Sequence, residues 1–176
     1  MLTETKKVLS FFGASVIAQA KAKAPRDTGK LADSLTFEVV EGKDQIGVNF
    51  DSSVNYAQFQ DQGVKGAKSS AKAPNSPFQF GSGSGGGGLR GGIDKWVIRK
   101  GLEGVRDDAG RFIGRKGLVY VIARSIYNTG LRPTLFFTKP FETERKKLTS
   151  KPEQALGKDF EKDIKLKIKG SNLIIK

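Results

Sequence analysis

Apolar residues recur every three or four positions along the first 24 residues. This spacing predicts a helix of about six turns with one apolar stripe. Acidic and basic residues flank its apolar middle in helical rhythm, which favours a helix of the mature protein over a signal peptide. The proline of AKAP cannot continue the helix, so the helix should end there. The stripe consists of Leu9, Phe12, Val16, Ile17 and Ala20.

Two segments that follow alternate apolar and polar residues with period two. In SLTFEVV the apolar positions are 35, 37 and 39, and in QIGVNF they are 46, 48 and 50. The connecting EGKD is typical of a turn, so the two segments predict an antiparallel hairpin. NYAQFQDQG then predicts a short helix that Gly63 closes.

Residues 63–92 are rich in Gly, Ser, Ala and Lys. Such a composition predicts a long flexible loop, because it buries little apolar surface. We expect this loop to be mobile in the isolated subunit and to become ordered against other chains. Phe78, Phe80 and Leu89 would then be exposed anchors; the alternative is that they pack on their own domain.

The remaining sequence predicts further helices. GIDKWVIRKGL and GRKGLVYVIARSIYNTG each have one apolar face, and Gly130 stops the second. RPTLFFTKPF should be extended, SKPEQAL should restart a helix at Ser150, and NLIIK should be an edge strand. The predicted fold class is α+β: a long N-terminal helix packed on a small antiparallel sheet, with additional helices and a long Gly-rich loop. We expect one domain over 1–150, including the flexible loop 63–92, and a basic C-terminal helix and edge strand over 151–176.

The chain contains neither cysteine nor histidine. It therefore lacks thiolate ligands and the commonest general base. This argues against most classes of hydrolase and against a zinc site. No apolar run approaches the roughly 18 residues needed to cross a bilayer, so we expect no membrane contact.

Three motifs resemble binding or catalytic sites, but the sequence around each does not fit such a site. GSGSGG lacks the preceding strand of a dinucleotide site, and GVKGAKSS has the wrong glycine spacing for a phosphate loop. Asp107–Asp108 and Glu142–Glu144 are more simply explained as solvated carboxylates. We expect no enzyme, no cofactor and no metal.

Positive charge is concentrated in the second half of the chain. Of the net charge of +13, residues 90–176 carry +11, from 21 Lys and Arg against 10 Asp and Glu. This asymmetry points to a polyanionic partner, either nucleic acid or an acidic protein surface; solvated helix faces are the alternative. A basic nucleic-acid-binding protein is thus an alternative function, although Phe160 is the one aromatic residue between Phe141 and Lys176.

The stretch APRDTGKLADSL is either an anion-binding site or a structural joint between the first helix and the hairpin. Proline fixes one dihedral, Asp27 or Thr28 can accept a backbone N–H, and Gly29 can adopt a positive φ. These properties favour a structural turn over an anion site. The turn residues are Ala24, Pro25, Asp27, Thr28, Gly29, Leu31 and Ser34.

The order of this turn, a hairpin, YAQFQDQG, a glycine-rich loop and LRPTLFFTKPFE resembles the head-tail joining and tail completion proteins of long-tailed bacteriophages. The turn matches the family pattern A-P-x-D-T-G-x-L-x-x-S, and Tyr56, Ala57 and Gly63 match a second mark. The chain departs at Asp61–Gln62 and in spreading a third mark over 131–142. The resemblance extends to about Glu144.

The resemblance implies a non-enzymatic virion protein that forms a ring of six or twelve copies. Its expected partners are the portal or adaptor protein and the tail tube or tail terminator protein, with non-specific contact to genomic DNA. Such a protein would be assembled in the bacterial host cytoplasm and would reside in the virion at the neck. The candidate subunit contacts are Tyr56, Phe59, Phe78, Phe80, Leu89 and Trp96.

Overall fold

The computed structural model describes residues 3–42, 46–81, 88–102 and 105–148, together with 152, 154, 155, 158 and 159. Contacts group the chain into two compact units. The first contains Met1–Val54 with Phe136–Lys176, and the second contains Asn55–Leu135. The predicted domain boundary at residue 150 stays a prediction, and the predicted cap Ser150 and strand NLIIK lie outside the described residues.

The first unit is a helix-and-hairpin layer. It consists of α1 (Thr3–Lys23), α2 (Lys30–Ser34), β1 (Leu35–Glu41), β2 (Ile46–Ser52) and α6 (Thr138–Leu148). All five residues of the predicted stripe on α1 are buried. The strands are antiparallel with Phe37 opposite Phe50 and Val39 opposite Val48, which confirms the hairpin and its register. The predicted α+β class, with the N-terminal helix on a small antiparallel sheet, is confirmed.

Phe50 is the centre of an aromatic cluster that ties the hairpin to both long helices of the first unit. Its ring centroid lies 6.0 Å from that of Phe12 on α1, and 5.3 and 5.9 Å from those of Phe137 and Phe141. Most of these contacts are edge-to-face, the geometry that aromatic quadrupoles favour. Phe37 joins the cluster from β1 at 6.5 Å.

The segment 132–141, predicted to be extended, already becomes helical at Thr138. Helix α6 begins at Thr138 and buries Pro140, which sits in the first turn where its missing N–H costs nothing. The position of Phe137 and Phe141, one turn apart on the same side, lets both rings reach Phe50.

In the second unit, α4 (Gly88–Arg99) and α5 (Arg115–Thr129) pack together. Their core is made of Ile93, Val97, Leu118, Val119 and Ala123. Both helices were predicted, and Gly130 ends α5 as expected. The unit also contains α3 (Ala57–Gln62), closed by Gly63, and the short strands β3 (Val64–Lys65) and β4 (Gly130–Leu131), which pair antiparallel.

The described parts of 63–92 differ from the predicted flexible loop. Residues 88–92 belong to α4, and 63–81 are fixed by backbone hydrogen bonds. The Ala67 N–H donates to the Tyr127 carbonyl at 2.8 Å, and Lys65 exchanges two bonds with Phe78 and Phe80. Main-chain pairing therefore orders a segment that has few apolar side chains. Residues 82–87, which include most of GSGSGG, lie outside the described residues.

We predict that Gly13→Ala destabilises the protein although alanine is the better helix former. A Cβ at Gly13 would lie 2.5 Å from Cε2 and 2.9 Å from Cγ of the Phe37 ring, so either α1 or that ring would have to move. We expect a loss of about 1–3 kcal/mol in urea denaturation. Gly92→Ala is the matched control: a Cβ there meets nothing within 4 Å, and its effect should be neutral or stabilising. A loss of equal size in both variants would contradict the close packing.

We predict that hydrogen exchange on the isolated chain shows protected amides at Lys65, Ala67 and Phe80. Each of these N–H groups donates to a carbonyl within the second unit, at 2.8–2.9 Å. Exchange must then await local opening, so rates should be slowed at least about tenfold relative to the chain in denaturant. Rates equal to those of the unfolded chain would restore the flexible-loop interpretation.

Candidate interaction surfaces

The turn at 24–34 joins α1 to the hairpin through α2. Gly29 has φ of 82° and caps α2, a conformation that glycine adopts without strain. Leu31 is buried, and the Ser34 hydroxyl donates to the Leu31 carbonyl at 2.8 Å. The hydroxyls of Ser34 and Ser52 lie 2.8 Å apart, which links the end of α2 to the end of β2.

The other turn residues differ in exposure. Ala24 is buried and its N–H donates to the Ala20 carbonyl, extending the last turn of α1. Pro25, Asp27 and Thr28 are exposed. Leu31 and Ser34 contact neighbouring parts of the first unit, and the structural role predicted for the turn stays a prediction.

The six candidate subunit contacts all lie in the second unit, but in three separate places. Phe59 packs edge-on against Phe78 with ring centroids 4.7 Å apart. Phe80 packs on Tyr127 at 5.7 Å. Leu89 and Trp96 pack against the core of α4 and α5. Tyr56 and Phe59 keep 39% and 41% of their surface exposed, so these two retain the most area for another chain.

A groove between α1 and α6 in the first unit was not predicted. It has a volume of about 670 Å³ and is lined by apolar residues of α1, by Leu148 and by Glu144 with its partners. Phe11 lines it and is 72% exposed, the most exposed large apolar side chain described. The signal was present in the sequence: of the consecutive Phe11 and Phe12, only one can face the buried stripe.

Glu144 supplies the polar wall of this groove. Its carboxylate accepts from Lys147 Nζ at 2.7 Å and from Gln19 Nε2 at 2.8 Å. These two bonds, the Lys147 bond first, hold the pKa of Glu144 below the usual range, against the raising effect of its burial. The charge on Glu144 therefore ties α6 to α1.

Asp107, one of the carboxylates singled out from the sequence, serves local structure. Asp107 accepts the N–H groups of Arg111 and Ala109 and pairs with the Arg111 guanidinium at 2.9 Å, closing a turn. The backbone N–H of Arg111 is the main cause of its lowered pKa. Glu142 is exposed. Among the described residues, no three acidic side chains are grouped so that they could hold a metal ion.

The carboxylate of Asp159 caps the N-terminal end of α1. It accepts from the backbone N–H groups of Glu4 and Thr5 and from the Thr5 hydroxyl, each at 2.9 Å. A carboxylate at a helix N-terminus satisfies free N–H groups and complements the helix dipole. Asp159 thereby connects its own short described segment to the start of α1.

Residues 4–63 match a protein-family model described as "Bacteriophage HK97-gp10, putative tail-component". The match spans 60 of the 176 residues and runs from α1 through the turn and the hairpin to Gly63. Over this stretch it confirms the resemblance to structural proteins of phage tails.

Comparisons with curated proteins and with solved structures returned no significant match. In the described part of the chain, no helix is both long and apolar enough to span a membrane.

We predict that Glu144→Gln lowers stability at neutral pH by about 1 kcal/mol, because the charge-assisted bonds to Lys147 and Gln19 weaken. The folded-state pKa lies below that of the unfolded chain, so the ionised form stabilises above the unfolded value and is lost as pH falls. The difference from wild type should be full at pH 7 and shrink as the pH falls below about 4.3, the ordinary pKa of a glutamate. Urea denaturation at pH 7 and at pH 3 tests this.

The control is Glu142→Gln, an exposed substitution two residues earlier on α6. It should have little effect on stability at either pH. A Glu144→Gln difference that persists unchanged at pH 3 would show that shape, not charge, matters at this position.

Proposed function

We propose that the chain is a structural virion protein that forms a ring at the head-tail junction of a tailed phage. It would join the portal or adaptor protein to the tail tube or tail terminator protein. The observation that carries this proposal is the family match over the helix, turn and hairpin of the first unit. The role is structural and non-enzymatic.

A ring subunit needs two different surfaces, because each copy contacts one neighbour on each side. Exposed aromatic side chains are suited to this, since they bury much area for little entropy. The first unit offers Phe11 beside an open groove, and the second offers Tyr56 and Phe59. We assign these residues to subunit contacts in a ring of six or twelve copies.

Four other candidates have partners within their own unit. Phe78, Phe80, Leu89 and Trp96 contact Phe59, Tyr127 and the α4–α5 core. In the proposed ring, Phe78 supports Phe59, and the other three contribute to the packing of their own unit. This agrees with the alternative considered from sequence, that the anchors of 63–92 pack on their own domain.

We predict that Phe11→Ser leaves the isolated protein stable but blocks assembly. Its side chain is largely exposed, so the melting temperature should change by less than about 2 °C. In cells infected with a phage that lacks the gene, the variant should fail to restore infectivity. Electron microscopy should then show filled heads and separate tails.

Ala14→Ser on the exposed side of the same helix is the control, and it should restore infectivity fully. Intact particles with normal infectivity from Phe11→Ser would contradict the assignment of this groove to a subunit contact. Defective heads with no filled particles would place the protein at an earlier step than joining.

A further inference from the structure

The second unit carries a surplus of positive charge. Asn55–Leu135 contains 13 Lys and Arg against 5 Asp and Glu. Asp94 is paired with Arg115 at 3.1 Å, Asp107 with Arg111, and Asp61 is buried. Asp94 and Asp107 thus neutralise two of the arginines, and the unit keeps a net positive charge that favours an anionic partner.

Two other arginines of this unit meet at one aromatic ring. The guanidinium of Arg90 on α4 lies 5.0 Å from the centroid of Tyr120 on α5, and that of Arg124 lies 5.9 Å from it. Arg124 Nη1 also donates to the Tyr120 hydroxyl at 3.1 Å. The arginines are exposed, as is 43% of Tyr120, so the cluster faces solvent.

Two like charges at one ring favour an anionic ligand. Two guanidinium groups near one ring repel each other, and the ring's negative face offsets only part of that repulsion. The ring also fixes the two side chains, so less rotamer entropy is lost when both bind one ligand. An anion held between them would therefore gain from both charges.

The cluster lies on two helices that pack against each other. Arg90 and Tyr120 come from two helices whose facing sides form the α4–α5 core. Lys116, Tyr120 and Arg124 are four residues apart on α5, so they follow one stripe of the helix. A row of cations on one rigid face fits a linear polyanion better than a single small ion.

We propose that Arg90, Tyr120 and Arg124 form a clamp for the phosphate backbone of duplex DNA. Guanidinium forks match phosphate oxygens in geometry and charge, and backbone contacts carry no sequence information. Binding is therefore weak, indifferent to sequence and steeply dependent on salt. The free subunit carries the complete clamp, so this inference does not rest on ring formation.

The test measures fluorescence anisotropy of a labelled duplex of arbitrary sequence with the full chain, over a range of KCl concentrations. Arg90→Gln with Arg124→Gln should weaken binding by about tenfold or more and reduce the salt slope by about 2. The matched control is Arg111→Gln with Arg115→Gln, which removes two cations that already have acidic partners. This control should lose less than about threefold.

Substitutions that keep the positive charge test whether the Tyr120 ring and the guanidinium geometry contribute to binding beyond charge alone. Tyr120→Phe keeps the ring and should bind DNA nearly as wild type, whereas Tyr120→Ala should weaken binding. Replacing Arg90 and Arg124 by lysine keeps the charge and removes the planar stacking, so affinity should fall by several fold. This lysine variant also serves if the glutamine variant does not fold.

Equal losses in the clamp and control variants would overturn the proposal, and so would the absence of any DNA binding. A polyglutamate peptide of equal charge that binds as tightly as the duplex, and depends on the same residues, would assign the cluster to an acidic protein surface.

Discussion

The close packing of α1 on the β-hairpin supports the rest of the first unit. Glycine at position 13 lets the helix backbone approach the Phe37 ring, and Phe50 then contacts Phe12 from the hairpin side. Helix α6 adds Phe137 and Phe141 to the same cluster. The turn at 24–34 and the groove beside Phe11 both depend on this packing, because each is formed by elements that the cluster holds in place.

In the second unit, segment 63–81 is ordered although it has little apolar surface to bury. Backbone approaches backbone directly there: a Cβ at Gly66 would lie 2.6 Å from the Gly130 nitrogen. Small residues thus permit main-chain hydrogen bonds that replace a side-chain core. A composition that is typical of flexible linkers here allows two backbone segments to lie close together.

Much of the fold could be predicted because the apolar patterns are strong. The stripe on α1, the alternation in the hairpin and the glycine stops at Gly63 and Gly130 depend only on local sequence. The order of 63–81 could not be predicted, because its partners Tyr127 and Asn128 lie some 60 residues further along the chain. The groove was missed for a similar reason: it needs α1 and α6 side by side, and Glu144 was interpreted as a solvated carboxylate when it is buried against Gln19 and Lys147.

The proposed role at the head-tail junction is most directly tested by locating the chain in the particle. Cryo-electron microscopy of virions should show density at the neck that fits the α1–hairpin unit in six or twelve copies around the tail axis, with Phe11 at the contact between neighbours. Density for this unit along the tail tube or at the distal tail tip, with none at the neck, would contradict the proposal.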